Sequence, residues 1–194
     1  YPPVDVDSFK SLKKENLIVS VGRFTSLLHN KKQDFLVKSF IKMFEEKKEK
    51  IKNWKLVLAG ADKEGKEYVE ELKKIAKGYP IEILTNPSFD DLKKLCGQAK
   101  IFWTAAGYGF DETKQPEKVE HFGITTGETM AAGCVPVVIN KGGQKEIVKD
   151  GENGFLWETE KQLIDKTWEL MENEDKRLKI AKAAQKRSVV FSEK

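Results

Sequence analysis

Two glutamates, Glu120 and Glu128, stand eight positions apart and flank Gly123. If a helix begins near Gly123, its first turn presents unpaired backbone N–H groups and a partial positive charge to an anion. Glu120 then lies on the loop at the mouth of this helix, and Glu128 lies more than one turn inside it. Carboxylates accept hydrogen bonds from hydroxyl groups, while a helix N-terminus holds a phosphate. The spacing therefore favours a phosphate-bearing ligand with hydroxyl groups at both ends.

Apolar segments rich in β-branched residues alternate with segments of helical periodicity, and these elements must position the glutamates. Strands are predicted at 17–22, 54–60, 81–85, 100–104 and 135–139, with a short sixth at the edge, 154–157. Strands that are apolar throughout and alternate with helices indicate a parallel sheet that is covered on both faces. We therefore expect an α/β fold with a doubly wound parallel sheet.

Helix boundaries follow from capping residues and apolar spacing. Ser88, with Asp91 three residues later, predicts a helix start, and so does Thr159 with Gln162. A last helix is expected from about Asp175 to Val190. In a doubly wound sheet, ligands bind beyond the carboxyl ends of the strands. The segments that leave those ends are 22–23, 60–61, 85–87, 105–107 and 140–143, and the long stretch 105–121 is predicted to be a functional loop.

Composition excludes several classes of protein. The chain has 194 residues, 39% hydrophobic and 34% charged, which is typical of a globular domain. Its net charge is only +4, with Lys and Glu interleaved, whereas nucleic-acid-binding proteins concentrate their basic residues in a patch. No apolar run reaches the roughly 18 residues that cross a bilayer. The two cysteines, Cys96 and Cys134, lie in apolar surroundings and are expected to be free core thiols in a reducing compartment.

The first 16 residues indicate an extended linker, and residues 17–194 are expected to form one domain. The chain begins without Met and ends without a terminator, so we expect an excised piece of a longer protein. Asp5-Val-Asp7 has the Asp-x-Asp spacing of a metal site. Because it lies in the linker, away from the carboxyl end of any predicted strand, we expect no metal there.

Four segments together resemble retaining glycosyltransferases of the two-domain GT-B architecture, specifically glycosyltransferase family 4. The string 120–128, followed by Ala132-Gly-Cys-Val-Pro-Val-Val138, is similar to the family's Glu-x7-Glu signature. Val21-Gly-Arg-Phe24 with Lys31 looks like its donor-phosphate loop, and 142–148 and 150–155 look like its next two signatures. The likeness runs in the family's order from Leu17 to about Phe191. It implies a Rossmann-like sheet of about six strands that forms the C-terminal, donor-binding half of a GT-B fold.

The resemblance also implies roles for individual residues. Arg23 and Lys31, with Gly22 in the same loop, would neutralise the diphosphate of a nucleotide sugar as it leaves, and cations suit that task without a metal. Glu120 would hold hydroxyls of the sugar, and Glu128 would bind those of the ribose. Further donor contacts are expected from the backbone and from the region of the base: Phe122, Gly123, Ile124, Thr125, Asn86 and Pro87.

Two features depart from the family's pattern. An insertion around Ser26-Leu-Leu-His-Asn30 lengthens the phosphate loop, so either Lys31 or Lys32 fits the phosphate-binding position. The stretch between Ala106 and Glu120 is also longer than the commonest form. This second insertion is expected either to shape acceptor specificity or only to cover the sheet.

The function that the resemblance implies is donor binding in a hexosyltransferase. The donor would be a UDP-, GDP- or ADP-sugar, with no cofactor, and the acceptor a carbohydrate or a lipid-linked molecule held by a missing N-terminal domain. We therefore expect the isolated chain to be inactive, and the full enzyme to be cytoplasmic or peripheral at the inner face of the membrane. The alternatives are a sugar-nucleotide epimerase or a phosphorylase of GT-B-like architecture, and a non-enzymatic nucleotide-binding module.

Overall fold

The sheet has the predicted parallel, doubly wound form. The structure, a computed structural model, describes residues 4–26 and 30–192, so part of the insertion, 27–29, lies outside the described residues, as do 1–3 and 193–194. The strands of this described part are Glu15–Val21 (β1), Lys55–Gly60 (β2), Ile81–Thr85 (β3), Ala99–Thr104 (β4), Val135–Ile139 (β5) and Phe155–Trp157 (β6). Their order is β3-β2-β1-β4-β5-β6, and all neighbouring strands are parallel.

The helices connect these strands and cover both faces of the sheet. They are Gln33–Ile51 (α1), Lys66–Ala76 (α2), Phe89–Gln98 (α3), Ile124–Ala131 (α4), Gln144–Ile147 (α5), Glu160–Glu172 (α6) and Glu174–Ser188 (α7). The last predicted helix ends at Ser188, and a short 3-10 turn, Val189–Phe191, follows it. The one-turn helix α5 and a 3-10 turn at Pro116–Lys118 were not predicted, because such short elements carry no periodicity.

Both predicted caps are present. The Ser88 hydroxyl accepts a hydrogen bond from the Asp91 backbone N–H at 3.1 Å. The Thr159 hydroxyl accepts one from the Gln162 backbone N–H at 3.3 Å. Each cap satisfies a backbone donor that the first helical turn leaves unpaired, which fixes where α3 and α6 begin.

Two apolar layers sandwich the sheet. One layer packs α1, α2 and α6 against one face and contains Trp103 and Trp157, both fully buried. The other layer packs α4 and α7 against the opposite face and contains Cys134. Cys96 and Cys134 are both buried free thiols, as predicted.

Part of the segment that precedes β1 packs onto the domain. Val4 forms a parallel bridge with Ser192, and the side chains of Val4 and Phe9 are buried. Val4 also lies against the helix α4, where a Cβ on Gly127 would come within 3.1 Å of it. Within the described residues, no helix combines the length and the apolar character that crossing a membrane requires.

The strand order reverses direction between β1 and β4. The chain leaves β1 toward α1 on one face and leaves β4 toward α4 on the other. Diverging connections open a crevice at the carboxyl ends of these two strands, which is where ligands of doubly wound folds bind. The loops after β1, β4 and β5 meet at this crevice, which we call the cleft.

Candidate active site

The helix α4 begins at the predicted position. Gly123 is its N-cap residue and has φ 99°, in the left-handed region that favours glycine. The backbone N–H groups of Ile124 and Thr125 donate to no residue in the described part of the chain. These two N–H groups and the positive end of the helix dipole form an anion cradle at the cleft.

The loop that carries Glu120 is packed tightly against the loop after β5. The Gly143 N–H donates to the Glu120 carbonyl oxygen at 2.9 Å. A Cβ on Gly142 would stand 2.2 Å from that same oxygen, and a Cβ on Gly143 would stand 2.4 Å from the Cα of Phe122. The glycine pair is therefore what allows the loop to approach and hold Glu120 at the mouth of α4.

An ion pair joins Lys31 to Glu120. The Lys31 ammonium donates to the Glu120 carboxylate, and each side chain is about one quarter exposed, 24% and 27%. The stem of Lys31 crosses Gly22, since a Cβ there would lie 2.7 Å from Lys31 Cγ. Gly22, Lys31 and Glu120 are therefore contiguous, although they come from separate parts of the sequence.

Lys31 and Lys32 have different surroundings. Lys32 is the N-cap residue of α1 with φ 54°, and its ammonium lies 4.6 Å from the centroid of the Phe110 ring. The Lys118 ammonium lies at the same distance from that ring. Lys32 thus contacts the long loop, whereas Lys31 contacts the glutamate.

Arg23 is exposed at the end of β1, and hydrogen bonds from Gln33 hold its backbone in place. The buried side chain of Gln33 donates to the carbonyl oxygens of Arg23, at 3.0 Å, and Gly22, at 3.3 Å. A Cβ on Gly60 would stand 2.0 Å from the Gly22 oxygen, so the loops after β1 and β2 are in close contact. Gln33 was missed by sequence reasoning, because a polar residue at a helix start gives no sign that its partners are two carbonyls.

Asn86, in the loop after β3, is hydrogen-bonded to the loop after β2. It has φ 51°, and its side-chain amide donates to Asp62 Oδ1 at 2.7 Å. Its backbone N–H donates to the Gly60 oxygen at 2.8 Å. Pro87, which follows, is half-buried. Asn86 is thus connected through Gly60 to the Gly22 loop.

Glu128 is half-buried within α4, more than a turn beyond Gly123. Burial raises the pKa of the Glu128 carboxyl, and the negative charge of Asp5 raises it further. Asp5 therefore lies closer to α4 than its place in the linker predicts, because the segment before β1 folds back onto this helix. No group of three or more His, Cys, Asp or Glu side chains that could hold a metal ion occurs among residues 4–26 and 30–192.

The long loop 105–121 forms a wall of the cleft. The Glu112 carboxylate accepts hydrogen bonds from the Gly142 N–H at 2.8 Å and from the Lys145 ammonium at 2.7 Å, and both lower the pKa of Glu112. At its start, Tyr108 stacks on Phe35 with ring centroids 4.0 Å apart. The loop is therefore fastened at two points. His121, beside Glu120, is exposed at the rim.

These contacts connect most of the predicted site residues in one cleft. The connection runs from Asn86 through Gly60 to Gly22, then through Lys31 to Glu120 and along the backbone to Gly123. A basic group, an acidic group and free N–H donors converge there on the crevice between β1 and β4. Such a set can bind a diphosphate and the hydroxyl groups attached to it.

The six-stranded parallel sheet with flanking helices matches the domains of GT-B glycosyltransferases. The C-terminal domain of a glycosyl transferase group 1 family protein from Francisella tularensis superposes with a TM-score of 0.76, over 96% of this chain and 97% of that one, at 19% identity. Anabaena HepE, solved in complex with UDP and glucose, superposes with a TM-score of 0.78 over 100% of this chain and 52% of that one, at 18% identity. Residues 4–187 match the family described as glycosyl transferases group 1, and the chain belongs to that family.

Curated relatives are named as mannosyltransferases. The chain is 30% identical to the GDP-Man:Man(3)GlcNAc(2)-PP-Dol alpha-1,2-mannosyltransferase of Dictyostelium discoideum, over 100% of this chain and 39% of that protein. It is 31% identical to the mouse protein of the same name, over 100% of this chain and 40% of that protein. The chain therefore spans about two fifths of the length of these relatives.

Proposed function

We propose that this chain is the donor-binding domain of a retaining mannosyltransferase of glycosyltransferase family 4, which transfers mannose from GDP-mannose to a lipid-linked oligosaccharide. The observation that carries the proposal is the contact of Lys31 with both Gly22 and Glu120 at the mouth of α4. The names of the mannosyltransferase relatives support the choice of donor and acceptor.

In this proposal, the diphosphate binds between the first crossover and the α4 N-terminus. Arg23 and Lys31 carry the positive charge that a leaving GDP needs, and they require no metal ion for it. The free N–H groups of Ile124 and Thr125 add neutral donors. Because the charge that develops on the leaving oxygen is balanced by fixed groups, the bond from the anomeric carbon to the phosphate oxygen breaks without a cofactor.

Glu120 and Glu128 bind the two sugar rings that are attached to the ends of the diphosphate. Glu120 accepts hydrogen bonds from hydroxyls of the mannose, and Glu128 accepts them from the ribose hydroxyls. Asn86 and Pro87 are assigned to the contact with the base. The acceptor hydroxyl attacks the face of the sugar from which GDP departs and passes its proton to the departing diphosphate, so that the configuration at the anomeric carbon is retained.

The remainder of the enzyme would supply the opposite wall of the cleft. Acceptor contacts are assigned to an N-terminal domain beyond this chain, and the isolated domain is expected to bind the donor but not to transfer mannose. We assign the full enzyme to the cytoplasm or to the cytoplasmic face of a membrane, where a lipid-linked acceptor would be presented.

Isothermal titration calorimetry in EDTA tests the donor assignment, with GDP-mannose, GDP, UDP and ADP as ligands. We expect GDP and GDP-mannose to bind with Kd values from about micromolar to about millimolar, which is roughly −8 to −4 kcal/mol. UDP and ADP should bind more weakly. Tighter binding of UDP would reject GDP-mannose as the donor, while no binding of any nucleotide to the folded domain would reject the donor-binding role itself.

A further inference from the structure

Gln144 has a buried side chain whose amide nitrogen lacks a protein partner. The residue is 1% exposed and begins α5, directly after Gly142 and Gly143. The Thr126 hydroxyl donates to its Oε1 atom at 2.8 Å. Its Nε2 atom donates to no residue in the described part of the chain. The carboxamide oxygen therefore has a hydrogen-bond partner in the described part of the chain, and the carboxamide nitrogen has none.

The unpartnered nitrogen lies against the start of α4. A Cβ built on Gly123 would stand 2.6 Å from Gln144 Nε2, so the amide rests directly on the N-cap residue. The Thr126 hydroxyl donates to the carboxamide oxygen, and in this orientation the nitrogen is turned toward Gly123. The nitrogen consequently joins the free N–H groups of Ile124 and Thr125 at the anion cradle.

Complete burial of an amide N–H group without a hydrogen-bond partner would destabilise the folded state. Among the described residues, Arg187 Nε is the one side-chain nitrogen or oxygen that is both fully buried and unpaired. The Gln144 Nε2 atom is unpaired as well, but it is not fully buried. It therefore retains some accessible surface beside Gly123, through which it can donate to an oxygen.

We propose that Gln144 is a donor-binding residue whose amide N–H holds an oxygen at the junction between the diphosphate and the transferred sugar. This inference rests on the proposed function. The ligand atom would be an oxygen that accepts a hydrogen bond close to Gly123. It would belong either to the phosphate that bears the sugar or to a sugar hydroxyl. A negatively charged oxygen would benefit from the positive end of α4 as well.

A purely structural role would use only the bond to Thr126. The substitution Gln144→Glu keeps the side-chain length and an oxygen for Thr126 and removes both amide hydrogens, but its negative charge also repels a diphosphate, so the uncharged Gln144→Met is tested beside it. Gln144→Met keeps the approximate volume and removes all polar contacts. Thr126→Val removes the bond to Gln144 Oε1 and leaves the amide hydrogens in place.

Calorimetric titration of the domain with GMP, GDP and GDP-mannose tests the proposal. We expect Gln144→Glu and Gln144→Met to bind GDP-mannose at least about tenfold more weakly than the original domain, with GMP binding changed less than about twofold. A similar loss for GDP would assign the bond to the phosphate, whereas a loss confined to GDP-mannose would assign it to the sugar; each supports the role. Unchanged binding of GDP and GDP-mannose in both folded variants would overturn the role of Gln144 and leave the proposed function standing.

A second measurement needs no substitution. In ¹⁵N-labelled original domain, the side-chain NH₂ resonances of Gln144 should shift when GDP-mannose is added, and those of the half-buried Gln98, which donates to Glu15 at the start of β1, serve as an internal comparison. Gln144 resonances that stay unmoved at saturation would overturn the inference. If the original domain binds none of the three nucleotides, the proposed function and this inference fail together.

Discussion

The Lys31 ammonium and the Glu120 carboxylate, 89 positions apart in the sequence, form an ion pair at the mouth of the helix α4. Both side chains are three-quarters buried, so solvent screens the pair less than it would at the surface. In the proposed function, Lys31 binds the diphosphate and Glu120 binds the sugar. A diphosphate therefore has to compete with Glu120 for the positive charge of Lys31.

The substitution Glu120→Gln removes that competition. Gln can still accept a hydrogen bond from Lys31, but it no longer neutralises the ammonium. We expect GDP to bind a few-fold more tightly to this variant, while GDP-mannose gains less because the Glu120 contact with the sugar is weakened. Calorimetry with the two ligands measures the difference, and weaker binding of GDP would contradict the competition.

Lys31→Met and Lys32→Met form a matched pair that decides which lysine binds the phosphate. Loss of a hydrogen bond to a charged group costs about 1.5–3 kcal/mol, so we expect Lys31→Met to weaken GDP binding by roughly 10- to 100-fold. Lys32→Met should change GDP binding little, since its ammonium lies over the Phe110 ring. The reverse result would assign the phosphate contact to Lys32.

Gly123→Ala should abolish donor binding. Alanine at φ 99° is strained by about 1–2 kcal/mol, and its Cβ would meet Gln144 Nε2 at 2.6 Å. Gly78→Ala is the control, because Gly78 has φ 90° but a Cβ there has no atom within 4 Å. We expect both variants to be destabilised in urea unfolding, Gly123→Ala the more, and only Gly123→Ala to lose GDP-mannose. Equal donor binding by the two would show that the cradle does not require glycine.

Glu128 makes folding stability depend on pH. Its raised pKa means that the folded state resists ionisation, so the free energy of unfolding is higher below the ordinary carboxyl pKa and falls as the pH rises through the raised one. Glu128→Gln should therefore be more stable than the original domain at pH 7, with the gain gone near pH 4. Urea unfolding at both pH values measures this, and Glu71→Gln, at an exposed position on α2, is the control.

The same variant should weaken GDP binding, by about tenfold, because the amide is a poorer acceptor for the ribose hydroxyls than the carboxylate. Glu128 would then be a residue whose charge serves binding at the expense of stability. A Glu128→Gln variant that binds GDP as tightly as the original domain would remove Glu128 from the ribose site.

Thr167→Val should destabilise the core without affecting the cleft. The Trp103 indole N–H donates to the Thr167 hydroxyl at 2.9 Å, and both residues are fully buried. Valine leaves that N–H unpaired, at a cost of about 1–3 kcal/mol in the free energy of unfolding. Thr167→Ser keeps the hydroxyl and should recover most of this loss apart from the missing methyl group. Chemical denaturation followed by tryptophan fluorescence measures both.

The elements were predictable because their signals are local. Ser88 and Thr159 mark helix starts by chemistry that acts over three residues, and the apolar runs that became β1 to β5 are continuous in the sequence. The start of α4 at Gly123 follows the same logic. The proximity of Gly22, Lys31 and Glu120 was expected only through the resemblance to a family.

What could not be predicted depends on contacts between distant positions. Nothing in the sequence shows that Glu112 accepts from Gly142, which makes the long loop a fixed wall, or that the linker brings Asp5 near Glu128. The orientation of the Gln144 carboxamide depends on Thr126, 18 positions away. Such pairings are chosen by packing, and residue types alone leave many partners open.

The bridge between Val4 and Ser192 brings the two extremities of the described fold side by side. A short peptide could therefore join them, and new termini could be opened at Gly78, between α2 and β3, where the surroundings are empty. Such a circular permutant would keep every strand and the whole cleft intact. Under the proposed function, the domain is thus suited to insertion into another protein as a portable sensor for nucleotide sugars.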